Sequence, residues 1–203
     1  MKAALRMDMK RRRAGLDLVA AAAASLLIQE RLCALAVFRE ARWVACYRAL
    51  PGEVDTARLF QACFAAGKAM AVPVMRPHLR AYAWGRLGPD TAMRPGPLGI
   101  PEPSDPEWVE PDALDLIVVP GVAFDRNGGR LGHGKGYYDR LLAEAGRAFK
   151  AGLAFEWQLA ECIPRESHDV AMDMVITEKQ IFENDGIMQT KNGERVNTWK
   201  RSV

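Results

Sequence analysis

Short, mostly apolar runs alternate along this chain with stretches in which apolar residues recur every three or four positions. The runs are "WVACY" (43–47), "AMAVPV" (69–74), "LDLIVVP" (114–120), "FKAGLAF" (149–155) and "MDMVIT" (172–177), and each reads as a strand. "LRAYAW" (79–84) is a further strand candidate, and "QIFEN" (180–184) either extends the last strand or pairs with it. "LDLIVVP" is the clearest: apolar but for Asp115, β-branched and ended by Pro120 and Gly121, as suits a strand covered on both faces.

Helical spacing fills the intervals. The first forty residues read as two helices broken near Gly15, rich in Ala, Leu, Arg and Glu and free of Pro. In "VDTARLFQACFAAGK" (54–68) apolar residues recur at Leu59, Phe60, Cys63 and Phe64; Asp55 or Thr56 caps the start and Gly67 ends it. "GYYDRLLAEAG" (136–146) is the next helix. Pro and Gly crowd residues 85–111, which read as a long ordered loop or a lid. Residues 186–203 are polar and are expected to form a flexible tail. Strands alternating with helices give the class α/β with a largely parallel sheet. Ligands in such sheets sit at the carboxyl ends of strands, so chemistry is sought in the loops after Tyr47, Pro120 and Phe155.

Composition narrows the function. With 203 residues the chain can bury one sizeable core, and 49% hydrophobic with 26% charged residues is ordinary globular usage. A net charge of +3 is small for a dedicated nucleic-acid binder, and the one basic run, Lys10, Arg11, Arg12 and Arg13, reads as the solvated face of a helix. The N-terminal segment imitates a secretory signal, but Asp8 and Asp17 interrupt it and its apolar positions continue at helical spacing. No stretch reaches the length of an apolar membrane span. Cys33, Cys46, Cys63 and Cys162 lie far apart and read as small hydrophobes in a reducing compartment. A cytoplasmic protein without nucleic-acid or membrane partners is expected.

The chemistry concentrates in "GRLGHGKGYYDRLL" (129–142). It follows the strongest strand and leads into a helix. Closely spaced glycines let backbone N–H groups converge there, and Lys135 and Arg130 add charge for a phosphate. The spacing fits neither the P-loop nor the dinucleotide pattern, and the residues alone read equally as a mobile loop. Asp139 suits either the first turn of a helix or Mg²⁺; "SHDVAMDMVIT" (167–177) offers Asp169 and Asp173 as further acids, the latter directly before a strand. Lys2 and Arg6, four apart, share a helix face that is either solvated or turned to a polyphosphate. In "GEVDT" (52–56), Glu53 alone has no capping role.

Together these residues carry a resemblance. "PGVAFDRNGGRLGHGKGYYDRLL" resembles the signature of the 5-formyltetrahydrofolate cyclo-ligase family, also called methenyltetrahydrofolate synthetases. "KAALR", "CYRALPGEVDT", "GKAMAVPV", "LGIPEP", "GLAFEWQL" and "IPRESHDVAMDMVITE" are similar to further family segments, in order, from Lys2 to Glu178. The resemblance implies a single three-layer α/β domain over residues 1–185, a mostly parallel or mixed sheet with helices on both faces. It implies conversion of 5-formyltetrahydrofolate and ATP to 5,10-methenyltetrahydrofolate, ADP and phosphate, by phosphorylation of the formyl oxygen and attack by N10.

Carried over by position, Lys2, Arg6 and the loop Arg130, Leu131, Gly132, His133, Gly134, Lys135, Gly136, Tyr137 and Tyr138 hold ATP. Lys135 is the main catalytic cation, with Arg130 second. Asp139 and Asp173 hold Mg²⁺. Glu53 accepts N–H bonds from the pterin edge. Arg48 and the residues His133, Gly134, Lys135, Gly136 and Tyr137 meet the folate, with Tyr82 or Trp84 as stacking candidates. His133 stands where the family more often has tyrosine or a basic residue. The expected partners are small molecules only, and the expected state is a monomer.

Overall fold

The computed structural model describes residues 1–184. The expected tail of 186–203 lies outside the described residues. The helices are α1 (Lys2–Ala14), α2 (Leu18–Ala34), α3 (Ala36–Glu40), α4 (Ala57–Ala65) and α5 (Tyr137–Glu144). The strands, in chain order, are β1 (Trp43–Cys46), β2 (Ala69–Arg76), β3 (Ala81–Leu87), β4 (Met93–Pro95), β5 (Pro101–Pro103) and β6 (Leu116–Val119), followed by β7 (Ala123–Asp125), β8 (Arg130–Leu131), β9 (Phe149–Leu153), β10 (Leu159–Ala160), β11 (Met174–Ile176) and β12 (Ile181–Glu183).

The apolar runs become the centre of a seven-stranded sheet in the order β12-β11-β9-β6-β1-β2-β3. Its five inner strands are parallel, and β3 and β12 close the two edges antiparallel. Period-two geometry sends alternate residues to opposite faces. Val44, Cys46, Leu116, Val118, Met174 and Ile176 pack with residues of α2, α3 and α4 in one core layer. Ala45, Ile117, Val119 and Val175 pack with Leu141 and Leu142 of α5 in the other. The α/β class with a doubly covered, mostly parallel sheet is therefore the observed one. No helix among the described residues is long and apolar enough to cross a membrane.

Three readings need correction. A third helix, α3, follows α2, because Leu35 turns to an extended conformation (φ −78°, ψ 148°) and the apolar pattern resumes at Val37 and Phe38. Residues 85–111 are not one loop. β3 runs on to Leu87, and β4 and β5 form a hairpin, pinned where buried Glu102 accepts the Met75 N–H (3.3 Å). A second sheet, β10-β7-β8, stands beyond the end of β6. Its strands have only two or three residues, too few to show a period.

The loop after β1 is fixed by its neighbours. Asp55 accepts the Ala57 N–H at the start of α4, while the Thr56 hydroxyl donates to the Tyr47 carbonyl, so the cap is Asp55. Gln29 of α2 accepts the Leu59 N–H, satisfying another free donor of the first turn. Tyr47 Oη donates to the Val54 carbonyl (2.7 Å), and Glu53 folds back to accept the Leu50 N–H (2.9 Å).

Candidate functional site

The chain leaves β1 toward β2 on one side of the sheet and returns to β6 on the other. The switch therefore falls between β1 and β6, where a crevice opens at the carboxyl ends of strands. A cavity of about 320 Å³ lies there. It is lined by Gly52 and Glu53 from the loop after β1, Gly121, Val122 and His133 from beyond β6, and Trp157 and Gln158 from beyond β9. These are the loops that the sequence singled out. The fourth wall is α1, through Arg6, Met9, Lys10 and Arg13.

α1 stands against this end because Met9 and Leu5 pack with Ala123, Leu131 and Ile163. Its cations then divide. Arg6 Nε donates to the Gly132 carbonyl (2.8 Å), and Lys2 Nζ meets Asp169 (2.7 Å) and Glu166 (2.9 Å). Arg11 and Arg12 pair with Asp8. Lys10 and Arg13 instead line the cavity, so the basic run is only partly the solvated face expected of it.

In the glycine-rich loop Arg130 is the buried cation. Its side chain is 3% exposed and pairs with Asp139 at 2.5 Å, while its Nε has no partner. A buried guanidinium with a spare donor is unusual, since such groups are costly unless fully paired. Leu131, expected in the loop's binding surface, packs into the core beside Met9. Gly132 faces Arg6, and a Cβ on Gly134 would lie 3.4 Å from the Arg6 guanidinium. Lys135 is exposed, with Nζ 6.0 Å from the Tyr137 ring centre. Gly136 precedes α5, and Tyr137 sets its ring edge-on to Tyr82 (5.1 Å). Tyr138 is half-buried under Arg130. His133 Nε2 lies 3.8 Å from Glu53 Oε1, so the loop after β1 and the glycine-rich loop meet across the cavity.

Other candidates stand elsewhere. Arg48 lies over the Phe60 ring (5.7 Å) and does not line the cavity. Trp84 is 1% exposed and belongs to the core, leaving Tyr82 as the aromatic near the loop. Asp173 is a correction. Its Oδ2 accepts the Lys150 N–H (2.8 Å) at the amino end of the parallel strands, opposite the cavity. The acid brought to Lys2 is Asp169, four residues earlier. Trp157, Gln158, Lys10 and Arg13 were also missed as lining residues.

Lys2, Asp169 and Glu166 hold α1 electrostatically. Hydrogen bonds to Asp169 and Glu166 keep the Lys2 ammonium above its usual 10.5. Burial pushes Asp169 up, but the Lys2 and Glu166 N–H bonds outweigh it and leave its carboxyl below 3.8. A depressed carboxyl contributes stability above its unfolded value and loses it as pH falls through the folded one. Asp169→Asn is therefore expected to lower Tm by about 2–4 °C at neutral pH, with the difference vanishing in acid below the folded pKa. Thermal scans across pH check this, and a pH-independent difference would exclude the ion pair as its source.

A doubly covered parallel sheet with polar side chains gathered at its switch point puts the chain among α/β proteins whose ligands sit in that crevice. A family model described as the 5-formyltetrahydrofolate cyclo-ligase family matches residues 1–178. The 5-formyltetrahydrofolate cyclo-ligase of Saccharomyces cerevisiae is 34% identical over 199 residues, covering 86% of this chain and 94% of its own. That of Haemophilus influenzae is 34% identical over 173 residues, 83% of this chain and 92% of its own. The solution structure of Aquifex aeolicus 5,10-methenyltetrahydrofolate synthetase superposes with a TM-score of 0.82 at 33% identity, covering 97% of this chain and 98% of that one. The chain belongs to the 5-formyltetrahydrofolate cyclo-ligase family and is an enzyme of that class.

Proposed function

We propose that the enzyme closes 5-formyltetrahydrofolate to 5,10-methenyltetrahydrofolate at the expense of ATP, releasing ADP and phosphate. The observation that carries this is the cavity across which Glu53 faces a glycine-rich loop backed by Arg6 and Arg130. The Glu53 carboxylate can accept paired N–H bonds from an aminopyrimidine edge. The formyl oxygen attacks the γ-phosphorus as its bond to the ADP oxygen breaks. N10 then attacks the formyl carbon, loses its proton, and the carbon–oxygen bond breaks to release phosphate.

Phosphoryl transfer asks a protein mainly for positioning and positive charge. Arg6 positions the loop through Gly132, buried Arg130 anchors it by pairing with Asp139, and exposed Lys135 can follow the γ-phosphate. Lys2 stands at the other end of the same helix face. The carboxylates of Asp139 and Asp169 fit a hard cation, Asp169 being kept ionised by Lys2. Among the described residues no three potential ligands cluster, so the remaining ligands of Mg²⁺ would have to be phosphate oxygens and water. When bound, it would neutralise the phosphate charge.

The same reading takes residues 1–185 as one catalytic unit, a monomer in the cytoplasm that acts on small molecules without nucleic acid or membrane. All four cysteines are free thiols, as a reducing compartment would leave them. Purified protein given Mg·ATP and 5-formyltetrahydrofolate should develop the near-ultraviolet absorbance of the methenyl product with one ADP per turnover. Unchanged absorbance with no ADP would overturn the proposal.

A further inference from the structure

Asp125 is 2% exposed and takes no part in the chemistry above, yet its carboxylate accepts three backbone N–H groups. Oδ1 takes those of Asn127 (2.9 Å) and Gly129 (2.7 Å), fixing the turn between β7 and β8. Oδ2 takes that of Ile163 (2.9 Å), on a segment 38 residues away. Arg165 stands 3.7 Å from Oδ1 and donates to the Asn127 carbonyl. A second tie follows, as Met172 N–H donates to the Gly128 carbonyl (2.8 Å).

Residues 163–172 are thus hung on the β7–β8 turn at both ends, and between those ends they carry Glu166 and Asp169. β8 leads in the other direction straight to Arg130 and Gly132. The connections close a ring. From Asp125 it passes to Ile163, then Asp169, Lys2, Arg6, Gly132, Arg130, and back through Gly129. Lys2 and Arg6 lie four apart on one helix, about 6 Å of rise, so α1 is a spacer of fixed length. Asp125 reaches both branches at once, Oδ1 holding the β7–β8 turn and Oδ2 the acid-bearing segment.

We infer that Asp125 is a positioning residue for the triphosphate. It sets the separation between the Lys2–Asp169 pair and the cationic glycine-rich loop. A buried carboxylate suits this because its two oxygens can accept along two directions, each bond strengthened by the charge. Asparagine in its place keeps one accepting oxygen but turns an N–H₂ toward a neighbouring N–H. One branch is kept and the other released. A displacement of even an ångström in such a frame weakens ligand alignment sharply.

The inference rests on the proposed ATP-dependent reaction, and the experiment separates the two. Calorimetric titration of the full chain with Mg·ATP gives nucleotide affinity without turnover. Asp125→Asn is expected to weaken it about fivefold, while KM for 5-formyltetrahydrofolate shifts less than about twofold. If Asp125 acts through the segment carrying Asp169, the double variant Asp125→Asn, Asp169→Asn loses little more affinity than Asp169→Asn alone. Additive losses, or a lowered Tm with unchanged affinity, would make Asp125 merely structural and overturn the inference. Should Asp125→Asn fail to fold, Arg165→Ala decides: an about threefold loss of ATP affinity supports the frame, and no loss overturns it. Wild-type protein that binds Mg·ATP but forms no methenyl product sinks the reaction and not the frame. Protein that binds no nucleotide sinks both.

Discussion

Lys135→Ala lowers kcat/KM for ATP by roughly 30- to 900-fold, the equivalent of about 2–4 kcal/mol of transition-state charge stabilisation. Lys135 is exposed, pairs with no carboxylate among the described residues, and its ammonium stands over the Tyr137 ring, 6.0 Å from its centre. Its ammonium therefore stabilises nothing in the resting fold, and Tm should move by less than about 1 °C. That combination, a large kinetic loss on an intact fold, separates it from Arg130, whose removal would leave the half-buried Asp139 without its partner. Steady-state kinetics with varied ATP, beside a thermal scan, tests it. Turnover near that of the wild type would dismiss Lys135 as the phosphate-facing cation.

Gly128→Ala has the largest expected effect on stability. Gly128 holds φ +77°, and a Cβ there would lie 2.2 Å from the Met172 carbonyl oxygen and 2.7 Å from Asn184 Nδ2. The left-handed conformation costs a side-chain-bearing residue about 1–2 kcal/mol, and a clash with backbone carbonyl cannot relax by rotating a side chain. A total of about 3 kcal/mol or more corresponds to a Tm lower by roughly 6–12 °C in a chain of this size. Gly67 is the control. It holds φ +66° with nothing near its missing Cβ, so Gly67→Ala should cost only the conformational part, about 1 kcal/mol. Calorimetry on both variants decides; equal losses would show that the contact with Met172 is not what matters.

The inner sheet was legible because burial on both faces writes itself as unbroken apolar runs. "LDLIVVP" became β6, all four of its strand residues buried. The small sheet was not legible, since two- or three-residue strands carry no period and are defined by pairing alone. β4 and β5 hid for another reason. Three of their six residues are Pro, which reads as loop but is tolerated in a two-stranded hairpin.

The site divides in the same way. Glu53 and His133 lie in loops where strand ends converge, and Arg6 reaches the same cavity from a helix face. Choosing Asp173 over Asp169 went against the rule used to find the loops: a residue abutting the start of a parallel strand lies at the end away from the crevice. Leu131 is expected in the phosphate-wrapping loop, and its side chain lies on a strand in which successive residues point to opposite sides, which the loop's glycines hide. The basic run could not be divided from charge alone. Which of its cations face inward follows from where Met9 is buried, and that is a fact of packing.

The wall that α1 gives to the cavity also fixes when the site can exist. Lys2 is joined to Asp169 across 167 positions and Arg6 to Gly132 across 126. A ribosome makes the helix first and its anchors last. For most of synthesis α1 is a basic helix with nothing to lean on, and contacts this distant in sequence form slowly. The pocket is thus a late event of maturation. A chain cut short before Asp169 would carry the signature loop in full and still lack the clasp that seats its first helix.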